Sequence, residues 1–365
     1  MMVSNLVSGA AAQHNILFTP SRNNDTIESS ETKTLKEDIS MKKVRWGVLG
    51  AAGIARGQVI PGMLLADNCE LYAIASQSME KARAFQSEFG FEKAYGSYEE
   101  LLADPNVEAV YIPLPNQLHL EWTCKALQAK KHVLCEKPLA PTVAEIEKMI
   151  ATAEENNVFL MEAFAYLHSP LIHAIKADLD SGIIGEPLYM ESAFITSGYS
   201  LSNIRMRKET FGGATYDLGC YNTSLILTMF GQEPTGIQAV AEFSPEGIDL
   251  TTTALMTFPG GKRAVFQCGM VLATDADKRV DRWQIHGTKG CIRSEMEFNQ
   301  CGELSYTIRT DDGEVTKTIS TPQNYKLEVE QLGRCIRSGE TPFVSHEFTL
   351  KNAKVLARVL DAIGY

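Results

Sequence analysis

The residues whose types and spacing could do chemistry are Lys137, Asp217 and Tyr221. Lys137 sits in Val133-Leu134-Cys135-Glu136-Lys137-Pro138, a short apolar run ending in an acid, a lysine and a proline. The apolar part reads as a buried strand, and Pro138 stops it by removing a backbone donor and fixing φ. Lys137 is thereby held at the carboxyl end of a strand, where open α/β sheets keep their ligand crevice. A lysine there is either a surface side chain with its stem laid on apolar neighbours or a proton donor beside a cofactor. Asp217 and Tyr221 stand four apart at the start of an expected helix, so they share one face. The alternatives are structural: Asp217 as a carboxylate at the positive end of the helix dipole, Tyr221 as a packed aromatic with its hydroxyl satisfied.

These groups need elements to position them, and the first half of the chain supplies a regular series. Residues 44–49 read as a buried strand, followed by Gly50, Ala51, Ala52, Gly53, Ile54 and Ala55. Glycines between a strand and a helix let backbone N–H groups approach a pyrophosphate at the helix amino terminus. Ala52 and Ala55 occupy the second and third glycine positions of G-x-G-x-x-G, so the motif alone is equally a plain strand–helix turn. The units behind it repeat the rhythm: strands at 70–75, 107–112, 132–135 and 158–161, with helices between them. Ser97 with Glu100, and Thr142 with Glu145, have the spacing of capping boxes. Alternating strands and helices predict a parallel, doubly wound α/β sheet, a Rossmann dinucleotide-binding domain over residues 41–162.

From residue 163 onward the pattern changes to alternating strands, at 188–194, 236–243, 252–258, 263–270, 282–286, 291–297 and 304–308. One helix interrupts them at 215–230 and two more close the chain. Pro259-Gly260-Gly261 reads as a hairpin turn. This half, 163–365, is expected to be an α+β domain with a large, mostly antiparallel sheet that binds substrate and mediates oligomerisation. Residues 1–40 are polar, rich in Ser, Thr and Asn, and read as a disordered leader or an arm.

Composition excludes some partners. The 365 residues carry a net charge of −11, which argues against nucleic acid, and no apolar run is long enough to span a bilayer. The eight cysteines are scattered, with no Cys-x-x-Cys pair and no metal-type clustering with histidine, so buried free thiols in a reducing cytoplasm are expected and no metal site is.

Taken in order, Glu136-Lys137-Pro138, Pro115-Asn116-Gln117-Leu118-His119, Glu162-Ala163-Phe164 with Pro170, and the stretch from Gly212-Gly213 through Asp217 and Gly219 to Tyr221 resemble the motifs of the Gfo/Idh/MocA oxidoreductases. The tyrosine at the last position is similar to the branch holding dihydrodiol dehydrogenase, NADP-dependent D-xylose dehydrogenase and glucose–fructose oxidoreductase. The resemblance implies hydride transfer between a nicotinamide and a hydroxyl or carbonyl carbon of a sugar, cyclic polyol or trans-dihydrodiol, by a homo-oligomer. Such a transfer requires a proton to move on or off the oxygen. Lys137 would hold and polarise that oxygen, its pKa partly lowered by desolvation. Tyr221 would relay the proton, its pKa lowered by the ammonium, and Asp217 would orient the pair or anchor a substrate hydroxyl.

On the cofactor side the resemblance implies contacts from Gly50 to Ala55 with the pyrophosphate, from Asn116, His119 and Glu136 with the nicotinamide ribose, and from Pro113, Pro115 and Lys137 with the cofactor. For His119 the alternative is a helix-start histidine bonded to backbone. Arg205 would lie near the cofactor or, equally, stand as a solvated surface arginine. After the second strand the chain reads Ser76-Gln77-Ser78, with no acid to repel a 2′-phosphate, which leans to NADP over NAD, with Lys81 or Arg83 supplying charge. Phe211 replaces a glycine usual in the family, and Leu167 and Ser169 replace residues often basic and His; the pocket wall is expected to be narrower and more apolar for it. Two other functions share the fold: a glycoside hydrolase that holds NAD tightly, and a non-catalytic dinucleotide-binding regulator.

Overall fold

The computed structural model describes residues 42–197, 200, 202–271 and 279–365; the leader expected at 1–40 lies outside them. Six strands form one parallel sheet: β1 (Val44–Leu49), β2 (Cys69–Ala75), β3 (Lys93–Tyr95), β4 (Ala109–Ile112), β5 (His132–Glu136) and β6 (Leu160–Ala163). Their order is β3-β2-β1-β4-β5-β6. The middle strands are buried on both faces, as β4 is at every residue, which is why they read as unbroken apolar runs. The order reverses between β1 and β4, and that switch point opens a crevice at the carboxyl ends of the strands.

The crossovers are helical: α1 (Ile60–Leu65), which follows a π turn at Ala55–Val59, then α2 (Met79–Phe89), α3 (Tyr98–Ala103), α4 (His119–Gln128) and α5 (Val143–Asn156). The Thr142 and Glu145 capping box is complete at α5. At α3 it is half formed: the Ser97 hydroxyl accepts from Glu100 N–H, whereas the Glu100 carboxylate turns to Gly96 N–H.

After α6 (Pro170–Asp180) comes an eight-stranded sheet of β7 (Pro187–Thr196), β8 (Gly236–Phe243), β9 (Asp249–Thr257), β10 (Arg263–Gly269), β11 (Arg279–Gly287), β12 (Gly290–Ser294), β13 (Gly302–Thr310) and β14 (Gly313–Thr321). Its order is β14-β13-β12-β11-β7-β10-β9-β8, antiparallel throughout except for the β7–β10 pair. The fold is therefore α/β with a second, mostly antiparallel sheet, as the sequence predicts, with two additions. β3 is a three-residue edge, and β14 is the polar half of a hairpin turning at Asp311-Asp312.

One face of the large sheet is lined by α7 (Cys220–Phe230), which is buried on almost every side and carries no charged residue for that reason. Its polar side chains find partners inside: Ser192 donates to Asn222 at 2.6 Å, Ser224 meets Tyr166 at 2.7 Å and Thr223 donates to Asn352 at 2.7 Å. Asn352 belongs to the last helix, α9 (His346–Ile363). The helix before it, α8 (Asn324–Ser338), returns to the first sheet: Arg337 donates to the carbonyls of Lys42 and Lys43, both at 2.8 Å, and pairs with Glu108. α8 meets α1 at Gly62, where a Cβ would lie 2.8 Å from Tyr325 Cβ and 2.9 Å from Lys326 N. Backbone cannot yield there, so Gly62→Val is expected to destabilise the fold by about 2 kcal/mol, read as a lower urea midpoint. An unchanged midpoint would show that this seam is loosely packed.

Candidate active site

A cleft of about 590 Å³ opens where the carboxyl ends of β1, β4 and β5 face α7 and the start of β11. Its floor is the turn after β1. Gly50 has φ +125°, which L side chains rarely adopt, and Gly53 is exposed with nothing within 4 Å of a built Cβ. The first bond closing the helix is Arg56 N–H to Ala52 O, 3.0 Å. The preceding N–H groups of Gly53, Ile54 and Ala55 thus lack intrahelical acceptors, and they sit at a helix amino terminus with open space above. This is a cradle that fits a dinucleotide pyrophosphate.

The opposite wall is held by an ion cluster. Lys137 Nζ donates to the Asp217 backbone carbonyl at 2.7 Å and to its Oδ1 at 3.2 Å, while Arg205 Nε donates to Oδ2 at 2.6 Å. Lys137 and Asp217 are only 9% and 14% exposed. Burial alone would raise the Asp217 pKa; the charges of Arg205 and Lys137 overcome it and bring it down to about 2. At Lys137 burial is the largest influence and pulls the pKa down, but Asp217, Cys220 and Glu136 together outweigh it and the ammonium lies above the ordinary lysine range. Lys137 Nζ stands 4.6 Å from the centroid of the Tyr221 ring. That ring is packed among Phe164, Tyr166, Phe194 and Phe298, with centroids 5.1 to 5.8 Å away. Burial, reinforced by the Glu136, Cys220 and Asp217 charges, holds the phenol well above its usual pKa, with Arg279 opposing. The expected lowering of both pKa values is corrected by the structure. The combined negative surroundings outweigh desolvation at Lys137, and burial in an aromatic cage outweighs the nearby cation at Tyr221.

Gly212 and Gly213 explain how Arg205 reaches the cluster. A Cβ at Gly212 would collide with the Arg205 carbonyl at 2.3 Å, and Gly213 has φ +109°. The 203–207 segment therefore lies directly on the glycines that precede Asp217. Phe211 adopts a left-handed φ of +50°, and its carbonyl accepts from Asn116 Nδ2 at 3.0 Å, so it closes the loop onto β4's end. Asp217 sits in a π turn, Thr215–Gly219, that runs into α7.

Of the expected residues, Ala52, Gly53, Ile54, Pro113, Asn116, Glu136, Lys137, Arg205, Asp217 and Tyr221 line the cleft. Others do not. Ala55 is fully buried under the turn, and Pro115 caps the 3-10 turn before α4. Ser76 is buried with its hydroxyl accepting from Ser78 N–H, and Gln77 is exposed at the end of β2 beside the exposed Lys81 and Arg83. His119 is corrected: it faces backbone, with Nε2 2.7 Å from Leu114 O and Nδ1 3.1 and 3.2 Å from the carbonyls of Pro138 and Leu139. Burial outweighs these bonds and lowers its pKa, so the ring is neutral and has no nitrogen left for a ribose. Leu167 and Ser169 are buried away from the cleft, so they do not make its wall apolar. Sequence reasoning missed Tyr111, whose hydroxyl donates to Glu136 Oε1 at 2.6 Å, and Arg279, Asn299 and Tyr325 on the cleft wall. No motif marks the last three; only the return of the second sheet and α8 over the cleft brings them there.

A parallel sheet in this order, with a glycine turn at its switch point facing a lysine, a carboxylate and a tyrosine, defines a dinucleotide-dependent oxidoreductase. Two family models match, the oxidoreductase family with NAD-binding Rossmann fold over residues 44–164 and the GFO/IDH/MocA C-terminal domain over 172–293. The chain belongs to the Gfo/Idh/MocA family. It is 33% identical to D-xylose 1-dehydrogenase (NADP(+)) 2 of Haloferax volcanii over 87% of this chain and 95% of the relative. It is 30% identical to trans-1,2-dihydrobenzene-1,2-diol dehydrogenase of Xenopus tropicalis, over 87% and 96%. Among solved structures it resembles the 3-ketoreductase KijD10 of Actinomadura kijaniata in complex with NADP and TDP-benzene, with a TM-score of 0.82, 29% identity, and coverage of 88% and 98%.

Because its folded pKa is depressed, the stability Asp217 contributes is full above about pH 4 and is lost as pH falls through about 2. Asp217→Asn leaves Lys137 and Arg205 without their counter-charge. It is expected to destabilise the fold by on the order of 3 kcal/mol in urea and to drop the Lys137 pKa below the usual lysine value, followed by ¹⁵N NMR of Nζ. A Lys137 titration unmoved by the change would contradict the cluster.

Proposed function

We propose that the protein is an NADP-dependent dehydrogenase that interconverts a hydroxyl and a carbonyl carbon of a sugar, cyclic polyol or trans-dihydrodiol. The observation that carries this is the meeting of the Lys137 ammonium with the Tyr221 ring, 4.6 Å apart, in the cleft that the β1 glycine turn opens into. The names of its relatives, a D-xylose and a trans-dihydrodiol dehydrogenase, support the substrate class. The N–H groups of Gly53, Ile54 and Ala55 would take the pyrophosphate, and Pro113, Asn116 and Glu136 the nicotinamide ribose. Ser76 and Gln77 at the end of β2 lie where a 2′-phosphate is read, without an acid to repel it. Bound NADP supplies the hydride acceptor or donor.

The chain's own residues manage the proton. Lys137 holds the reacting oxygen and Tyr221 gives or takes its proton, while Asp217 fixes the ammonium. With both groups holding their protons at neutral pH, the site as it stands is set to donate, so reduction of a carbonyl runs at neutral pH and oxidation rises as pH increases. We further propose that residues 41–162 form the dinucleotide domain and 163–365 the domain for substrate and oligomer contacts. The exposed Val240 and Leu255 on neighbouring strands of the large sheet support a homo-oligomer. No helix among the described residues is long and apolar enough to cross a membrane. We place the enzyme in the cytoplasm, a reading supported by its eight cysteines, which are all free thiols and all but Cys301 buried.

The test is nicotinamide absorbance with a panel of aldoses and dihydrodiols and both cofactors. Lys137→Ala and Tyr221→Phe are each expected to lower turnover about 10²- to 10⁴-fold while NADPH affinity stays within a few-fold. Near-full turnover in both would remove these roles. Gln77→Arg is expected to tighten NADP but not NAD, measured by fluorescence titration; no gain would mean the 2′-phosphate lies elsewhere.

A further inference from the structure

Arg279 opens β11 on the cleft wall with its side chain 27% exposed. Its guanidinium is held on three sides. Cζ lies 4.4 Å over the Phe194 ring, which itself packs edge-on to Tyr221 at 5.3 Å. Nε donates to both oxygens of Asp281, at 3.0 and 3.1 Å, and Nη2 donates to Asp281 and to the Phe298 carbonyl at 2.9 Å. Nη1 makes no hydrogen bond among the described residues, so the fork presents two N–H donors in a fixed direction. Asp281 is wholly buried and also accepts from Phe298 N–H at 2.6 Å. The pair thereby clamps the backbone of Phe298 on both sides. The next residue, Asn299, extends its amide to the hydroxyls of Tyr325 at 3.1 Å and Tyr221 at 3.5 Å.

Charge accounting then limits the ligand. Among the described residues of the cleft wall the cations are Lys137, Arg205 and Arg279. The first two share Asp217 and the third is bound to Asp281, with Glu297 a further 3.7 Å from its Nε. An anionic substrate would have to compete with a buried carboxylate for each of them, and its own desolvation would go uncompensated. A hydroxyl needs only a donor fork, which Arg279 offers.

We infer that Arg279, locked by Asp281, is the specificity residue beside Tyr221, taking a hydroxyl next to the reacting carbon, and that the substrate is a neutral vicinal diol or sugar and not a phosphorylated or nucleotide-linked one. This rests on the dehydrogenase reading above. Asp281 is a positioning residue: it cancels the charge of Arg279 and holds the turn that brings Asn299 to the phenol.

The experiment compares D-xylose and trans-cyclohexane-1,2-diol with xylose 1-phosphate and dTDP-glucose on the full chain with NADP. The neutral compounds are expected to show at least tenfold higher kcat/KM. Arg279→Met should raise KM for the best neutral substrate at least 30-fold with NADPH affinity unchanged by fluorescence, and Arg279→Lys, which keeps the charge but loses the fork, at least tenfold. Asp281→Asn frees the guanidinium charge, so competitive inhibition by inorganic phosphate should strengthen at least tenfold, a response that loss of packing alone does not give. Equal or better use of the anionic sugars, or an unchanged KM in both Arg279 variants, overturns the inference while leaving the dehydrogenase standing. Turnover of none of the four, with NADPH still bound, overturns the dehydrogenase reading and the inference with it.

Discussion

The carboxylate of Asp217 is the point on which the cleft depends. One side chain accepts from two cations that reach it from different parts of the chain, Lys137 from the end of β5 and Arg205 from the loop after β7. Its backbone carbonyl binds Lys137 as well. A buried ion pair is weak evidence for stability, because desolvation consumes most of the Coulombic gain. Its value here is positional. Lys137 belongs to the parallel sheet and Asp217 to the element packed on the antiparallel one, so their contact sets how the two sheets face each other across the cleft. Without the carboxylate, the two cations would repel across the same space.

That constraint explains why Tyr221 is caged as it is. Four aromatic rings exclude water from the phenol, which by itself makes it a poor acid. The ammonium over its face is attracted to the ring quadrupole and holds the aromatic in place without hydrogen-bonding its hydroxyl. The hydroxyl is met from the other side by Asn299 and lies in the field of Arg279. The site thus keeps its proton until something at the reacting oxygen changes the balance. A dry, preorganised donor of this kind works through electrostatics fixed before substrate arrives.

Much of this was legible in the sequence wherever function and local structure share one pattern. The parallel strands announced themselves as apolar runs because both their faces are covered, and Pro138 marked the end of β5 because no ladder bond can pass it. Lys137 was singled out by its place at a strand end before proline, and Asp217 and Tyr221 by the motif they share with the family; all three line the cleft. What was not readable depends on long-range return of the chain. β14 is solvent-facing along most of its length, so Glu314 to Ser320 carries too few apolar residues to signal a strand, although Asp311-Asp312-Gly313 marks the turn that leads into it. Glu328 reads as one more charge on an amphipathic helix, yet it is fully buried with neither oxygen hydrogen-bonded, because α8 packs back on the first sheet. Burial and the Glu136 charge hold it well above the usual carboxylate pKa. Arg279 and Asn299 share no local motif with Tyr221, which is reached only through the register of the large sheet.

His119 shows the remaining kind of error, in which the residue matters but its role differs. The family resemblance of the Pro115 to His119 segment implies a ribose contact, whereas the residue read by itself also allows a helix-start histidine bonded to backbone. The ring spans the ends of two neighbouring strands, binding Leu114 beyond β4 on one nitrogen and meeting Pro138 and Leu139 beyond β5 on the other. A neutral imidazole donates only once, and the 2.7 Å contact to Leu114 is the shorter, so that bond takes the proton. The ring therefore donates to the Leu114 carbonyl and packs its other edge against Pro138 and Leu139, filling the space behind Pro113 to Asn116 and Glu136 to Lys137, the two lips of the crevice. A ligand contact would need a nitrogen turned to the cleft, which would break the Leu114 bond or open the packing against Pro138 and Leu139. Packing behind both lips leaves the crevice itself open, and a buried, uncharged ring does this without adding a charge beside Lys137.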